Sequence, residues 1–325
     1  MRQYIIRRVL ISLLVLLGVS MLLYALVRSM PADFVTISTS TSTRMTDEMR
    51  DALRASYGLD KSIPAGYVNW LIKALQGDLG NSLIHARPVT EVISGKIGIT
   101  FGISALALLF ELLIGIPLGI LAARKRNTAT DYTITIFVFL GISVPSFFLA
   151  ALLKYWFGFY GLNILPTAGL VDARAIYNGF SIAKLLDYAR HLIMPITVFT
   201  FVSMGEWLRY TRSNMIETIG SDYVRTARAK GVPEHKVIYS HAFRNTLIPI
   251  VTLLGASLPS LFSGAIITEN LFGIPGMGSM LLEASQKGDV PLLMAACMFL
   301  AVCTVVGYLI SDILYAVVDP RIRLS

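Results

Sequence analysis

Nineteen consecutive residues, Val9 to Val27, carry no charge, and Arg2, Arg7 and Arg8 stand just before them. A run of this length matches the hydrocarbon thickness of a bilayer. Inside that layer a chain must satisfy its own backbone, which leaves helices and closed barrels. Five further runs follow: Ile97–Ala122, Tyr132–Trp156, Leu192–Leu208, Thr246–Phe272 and Pro291–Val318. The fold class expected is therefore all-α, a polytopic membrane protein of six transmembrane helices. The fourth run is short and holds Pro195 and Glu206. Only 15% of residues are charged, whereas soluble domains average about 25%. A signal peptide would have a shorter apolar core and a small-residue cleavage site. Arg28-Ser29-Met30-Pro31 follows instead, so the first helix is expected to remain.

The basic residues orient the spans, because short cytoplasmic loops are rich in Lys and Arg. Arg124-Lys125-Arg126 separates spans two and three. Arg209, Arg212, Arg225, Arg228, Lys230, Lys236 and Arg244 separate spans four and five, and Arg321 and Arg323 lie in the tail. The loop between spans five and six has only Lys287. Both termini are expected inside, and the net charge of +8 is assigned to the inner membrane surface and its lipids, not to nucleic acid. Cys297 and Cys303 are six apart in one apolar run and fall on different helix faces. They read as buried, inert thiols without disulfide or metal-site spacing.

The domains expected are a first helix over 1–28, an external segment over 29–96, a five-span core over 97–318 with an inner loop at 209–245, and a tail at 319–325. In the external segment Thr46 can cap a helix with apolar Met49, Ala52, Leu53 and Tyr57, stopped at Gly58. Ser62 can cap a second, with apolar Tyr67, Trp70, Leu71, Ala74 and Leu75 and Gly77 after it. Such stripes either pack on the protein's own outer surface or shape an entrance that docks an external partner.

In the inner loop Ser221 or Asp222 can cap a short helix, Tyr223 to Lys230. Gly231 permits a left-handed turn and a positive φ, and Val232-Pro233 stops the helix. The loop reads either as a mechanical element or as a basic surface for lipid phosphates. On the outer side, Glu269 to Gly278 contains Gly273, Pro275, Gly276 and Gly278. That composition makes a tight non-helical turn. It is expected to line an outer gate closed by Leu271, Phe272, Ile274 and Met277, or else to be a structural turn. As a gate, it would let Phe272→Ala assemble normally.

Charges within the spans must face protein or water. Glu111 and Asp312 read as substrate or proton sites, or as groups paired across a helix or subunit interface. Glu269 and Glu206 lie nearer the ends, with Lys154. Pro117, Pro145, Pro195 and Pro259 each free a carbonyl within a span. No catalytic or metal constellation is present among His85, His191, His235 and His241, and no phosphate-binding Gly-x-x-x-x-Gly-Lys motif occurs.

Several segments in order resemble the B-type permease subunits of dipeptide and oligopeptide (peptide/nickel-type) ABC importers. They are Tyr57-Gly58-Leu59-Asp60, Gly77-Asp78-Leu79-Gly80-Asn81-Ser82, Gly115-Ile116-Pro117-Leu118-Gly119, Val144-Pro145-Ser146-Phe147, Asp222 to Gly231, Glu269 to Gly278, and Asp319-Pro320-Arg321. The family's inner loop reads acidic-Ala-Ala, three residues, Gly. Here the first positions are Arg225-Thr226-Ala227, so no role carries over from the acidic position. Pro31-Ala32-Asp33-Phe34 also departs from the usual Pro-Gly-Asp-Pro.

The resemblance implies a type I permease fold in a bacterial or archaeal cytoplasmic membrane. The chain would not itself be an enzyme and would bind no cofactor; ATP and Mg would sit on two partner ATPase subunits. A homologous second permease and an extracytoplasmic substrate-binding protein would complete the assembly. Asp222, Tyr223, Arg225, Ala227, Arg228, Lys230 and Gly231 would form the ATPase-coupling helix, with small Ala227 against the ATPase. Short peptides are the expected cargo, nickel complexes or another small solute the alternative. A secondary transporter driven by an ion gradient is the competing class, and would favour inverted repeats. For topology, single cysteines at Ser42 and Ser279 are expected to label from outside and one at Ser213 only from inside. Inside-only labelling at Ser42 would overturn the orientation.

Overall fold

The computed structural model describes residues 2–30, 34–39, 46–56, 60–158, 160–177, 179, 181–264 and 266–318. Pro31-Ala32-Asp33, Ser42, Tyr57-Gly58-Leu59 and the tail with Asp319-Pro320-Arg321 lie outside the described residues. The described secondary structure is helical apart from an isolated bridge between Asn81 and Pro88. The first span is α1 (Arg2–Arg28). The external segment holds α2 (Phe34–Thr39), α3 (Asp47–Ser56) and α4 (Ile63–Leu75). Then come α5 (Val89–Arg124), α6 (Ala129–Ser143), α7 (Ser146–Phe157), α8 (Ile182–Ile219) and α9 (Asp222–Ala229). One turn, α10 (Glu234–Lys236), runs into a π-helical stretch, Val237–Phe243, and on to α11 (Arg244–Ser257). The chain ends through α12 (Ser260–Ser263), α13 (Ile266–Leu271), α14 (Met277–Lys287) and α15 (Val290–Val318).

Four helices are long and apolar enough to cross a membrane unbroken: α1, α5, α8 and α15. The predicted third span is two helices bent by 99°. Val144 is extended before Pro145, which starts α7 rather than bending a continuous rod. The predicted fifth span, Thr246–Phe272, is likewise not one helix. It bends by 46° near Pro249 and breaks again at Pro259 and at Gly264, whose φ is +64°. Pro117 and Pro195, by contrast, sit inside unbroken helices. The fourth span is the longest of all, 38 residues or about 57 Å. It projects well beyond a hydrocarbon layer of about 30 Å.

Glycines set how closely the long helices cross. A Cβ on Gly119 of α5 would lie 2.7 Å from Thr211 Cβ and 2.9 Å from the Leu208 carbonyl oxygen on α8. One on Gly115 would lie 3.0 Å from the Met204 carbonyl. Small residues four apart let two backbones touch where lipid supplies no hydrophobic drive. Gly141 of α6 and Gly205 of α8 repeat the device: a Cβ on the first would meet Phe201 O at 2.6 Å, and one on the second Ile142 Cδ1 at 2.6 Å.

Ion pairs and caps fasten the remaining pieces. Arg8 on α1 meets Asp312 on α15 at 3.1 Å, so Asp312 is paired across a helix interface. Buried Asp131, near the start of α6, accepts from Arg212 Nε at 2.7 Å and Nη2 at 2.8 Å, and from the Asn127 amide at 3.0 Å. Fully buried Asp289 accepts from Ser82 Oγ, the Ile84 amide and the Leu292 amide, tying residues 82–84 to the start of α15. Thr46 accepts from the Met49 amide at 3.4 Å, while Ser62 stands at the N-cap of α4 without a side-chain cap bond. Helix α4 stacks Tyr67 and Trp70 on Tyr24 of α1, so its stripe packs on the protein's own surface. Cys297 and Cys303 are free and half-buried.

Gly119→Leu is expected to lower the stability of the purified chain by about 1–3 kcal/mol. Gly95→Ala, where a Cβ meets nothing within 4 Å, should not lower it. Equal thermal shifts for the two variants would contradict the crossing argument.

Candidate functional site

The inner loop forms a compact knob around α9. Ser221 precedes the helix, yet its hydroxyl turns back to donate to the Thr218 carbonyl at 2.6 Å, so no side chain caps α9. The helix begins one residue earlier than predicted, at Asp222, whose carboxylate complements the helix dipole. It ends at Ala229, with Lys230 as C-cap and Gly231 at φ +76°. The expected positive φ is present.

Helix α9 is amphipathic, and its inward face corrects one expectation. Val224 and Ala227 are buried, packed with Ile120 and Ala123 of α5, Met215 of α8 and Val237, Ile238 and Ala242 of the π-helical stretch. Ala227 therefore packs on the chain's own core, because residues three apart share a face and Val224 commits that face inward. Asp222, Tyr223, Arg225, Thr226 and Ala229 form the exposed face. Arg225 lies 3.7 Å from Asp222. Arg228 does not join that outer face freely: it forks onto Glu234 at 3.1 and 2.8 Å. The guanidinium's hydrogen bond holds the Glu234 carboxyl below the usual carboxylate range. Tyr223 Oη accepts from Asn245 Nδ2 at 2.7 Å.

The outer turn is organised by Glu269, which is 2% exposed. Its Oε1 accepts from Thr100 Oγ1 at 2.8 Å and its Oε2 from the Ser279 amide at 3.0 Å. Thr100 Oγ1 in turn accepts from the Met277 amide at 2.7 Å. A Cβ on Gly276 would lie 2.5 Å from both Glu269 Oε2 and Thr100 Oγ1, so only glycine fits. Lys154 Nζ donates to the Leu271 carbonyl at 2.6 Å, and the Gly169 amide to the Phe272 carbonyl at 2.8 Å.

The proposed gate side chains do not lie on one open surface. Phe272 and Ile274 are buried with Ile103, Ala150, Met194 and Val198. Met277 belongs to a separate cluster with Val89, Val92 and Leu292. Apolar side chains on a tight turn gain most by filling the chain's own core, and these do so. Glu111 sits mid-way along α5, 8% exposed, and accepts from Trp207 Nε1 of α8 at 3.1 Å. It lines a cavity of about 460 Å³ between α5, α8, α11 and α12.

The described residues thus hold four helices long and apolar enough to cross a membrane, two bent helix pairs that could each make one span, and a basic helical knob. Residues 115–324 match the family described as binding-protein-dependent transport system inner membrane component, and residues 1–104 match its N-terminal counterpart. The chain belongs to this family. It is 36% identical to the oligopeptide transport system permease protein AppB of Bacillus subtilis, over 99% of this chain and all of that one. It is 33% identical to the dipeptide transport system permease protein DppB of Escherichia coli K12, over 99% of both. Among solved structures, the inward-facing MetNI methionine ABC transporter matches with a TM-score of 0.55 at 14% identity. That match covers 71% of this chain and 97% of the other and shows a shared fold. The protein is thus a multi-pass inner-membrane permease component, all-α and of the ABC importer type.

Sequence reasoning missed the structural carboxylates of this permease. Asp131 and Asp289 were not singled out as site residues. Asp289 carried a signal, since it stands three residues before Leu292, whose amide it caps. Asp131 carried none, because Arg212 is 81 residues away. Phe272→Ala, expected from the gate reading to assemble normally, should instead lower the unfolding free energy by about 3–5 kcal/mol. A thermal melt of the purified chain matching that of the parent would contradict this packing role.

Proposed function

We propose that this permease forms half of an ATP-driven import pathway for short peptides and that α9 is its coupling helix. A second, homologous permease supplies the other half. Two ATPase subunits carry the ATP and Mg, and an extracytoplasmic binding protein delivers the peptide. Both termini lie on the cytoplasmic side, with α9 facing the ATPase. The peptide assignment is supported by the permeases AppB and DppB, which match this chain along its whole length.

One observation carries the coupling assignment. The buried face of α9 clamps the inner ends of α5 and α8 and the π-helical start of the broken fifth span into one cluster. A force on the exposed face therefore reaches three membrane segments together. Packed interiors transmit displacement because they are dense and nearly incompressible. The π-helical stretch and the breaks after it supply the place where motion is absorbed, since such irregularities recur at functional sites. The outer turn, pinned by Glu269, is the rigid counterpart at the far face.

The contact surface follows as Asp222, Tyr223, Arg225, Thr226 and Ala229, with Lys230 and Gly231 at its rim. A cysteine at Arg225 is expected to crosslink to the ATPase subunit in the assembled transporter. Gly231→Val should abolish peptide uptake while the spans still insert. A Cβ at Gly231 meets no atom within 4 Å, so the defect is backbone strain alone, about 1–2 kcal/mol before the β-branch adds to it. Free labelling at position 225 by a bulky soluble reagent in the complex, with parental uptake by Gly231→Val, would refute the assignment.

A further inference from the structure

The cavity of about 460 Å³ beside Glu111 is walled by Ser104 of α5, Ser203 and Trp207 of α8, Ser257 of α11 and Ser260 of α12, with Glu206 at its edge. Its size falls within the usual range for small-molecule sites, about 300–1,000 Å³. No Lys, Arg or His lines it. Part of its wall is the break after Ser263, where Gly264 adopts φ +64°. Non-helical backbone at membrane depth is tolerated where it is buried in protein or borders a polar cavity.

Glu111 is more than nine-tenths buried. Trp207 Nε1 occupies its Oε2, and among the described residues no hydrogen bond reaches Oε1. Neither Glu111 nor Glu206 has an ion-pair partner among the described residues. Every other buried carboxylate among the described residues is satisfied: Asp131 by Arg212, Asp289 by a hydroxyl and two amides, Glu269 by Thr100 and Ser279. A buried carboxylate without a positive partner is strongly disfavoured, and intramembrane charges mark substrate or ion pathways. No group lining the cavity supplies the positive charge that an ionised Glu111 would need.

We propose that this cavity is a binding station for the ammonium group of the transported solute, with Glu111 and Glu206 as its anionic pair. Trp207 is the positioning residue that fixes Glu111. The solute class is a short peptide held by its amino terminus, and this identification rests on the peptide reading above. The serine hydroxyls supply adaptable acceptors for a group that passes through. A divalent cation is a poorer fit, because it needs six or more oxygen ligands and no group of three metal-ligating side chains occurs among the described residues.

The test is uptake of trialanine by the transporter reconstituted with its partner permease, ATPase subunits and binding protein. Glu111→Gln and Glu206→Gln should each lower uptake roughly tenfold or more, the range lost with a charged hydrogen-bond partner. Glu206→Asp, which keeps the charge, should restore most of it. Assembly is read in parallel by co-purification of all subunits. Should Glu111→Gln fail to assemble, Glu206→Gln decides, because Glu206 is exposed. Parental uptake by Glu206→Gln overturns the station. So does loss of assembly in both Gln variants, which would assign the carboxylates to a cation on the partner permease. If the unaltered transporter takes up no trialanine, the peptide reading fails instead, a result distinct from either.

Discussion

The close crossing of α5 and α8 is the constraint on which the rest of the structure depends. Gly115 and Gly119 bring the α5 backbone against Met204, Leu208 and Thr211. Apolar surface gives these helices no reason to prefer one another over lipid, so association rests on van der Waals contact at short range. With the two axes that near, Glu111 of α5 and Trp207 of α8 fall within hydrogen-bond distance. The same crossing brings Ile120 and Ala123 beside Met215 at the inner end, which creates the socket for α9. Larger residues at the crossing would separate all three features together.

Around this centre the chain uses buried carboxylates as joints. Asp131 fastens the inner loop after α5 to α8, Asp289 fastens the external segment to α15, and Glu269 fastens the outer turn to α5. Each is saturated by donors from elements far apart in the chain. A carboxylate accepts several hydrogen bonds at once and does so strongly, so one residue can fix several pieces of backbone. The chain also holds the bent third and fifth candidate spans, turned by 99° and 46°. Fixed joints and bent spans suit a transporter that must change access without unfolding.

Much of the architecture was legible in the chain alone. Uncharged runs long enough for a bilayer defined the spans, because lipid leaves helices almost no alternative. Gly231 before Val232-Pro233 dictated a left-handed stop, and φ +76° is a local property that needs no neighbours. Gly77 after α4 and Thr46 before α3 behave the same way. The resemblance carried by short motifs agreed with the family, since those motifs mark turns and close approaches whose chemistry admits few residues.

Tertiary structure decided what local sequence leaves open. It decided which prolines break a span: Pro145 stands where the third span turns by 99°, whereas Pro195 lies inside an unbroken helix. It decided that Ala227 turns inward, because Val224 and the π-helical stretch claim that face. It decided that Phe272 and Ile274 pack together in one buried cluster while Met277 joins another. It also separated Glu269 from Glu111, two acids that look alike in sequence. Periodicity and composition report a residue's own preference, whereas a partner 80 or more residues away is set by helix crossing, and no local pattern encodes that distance.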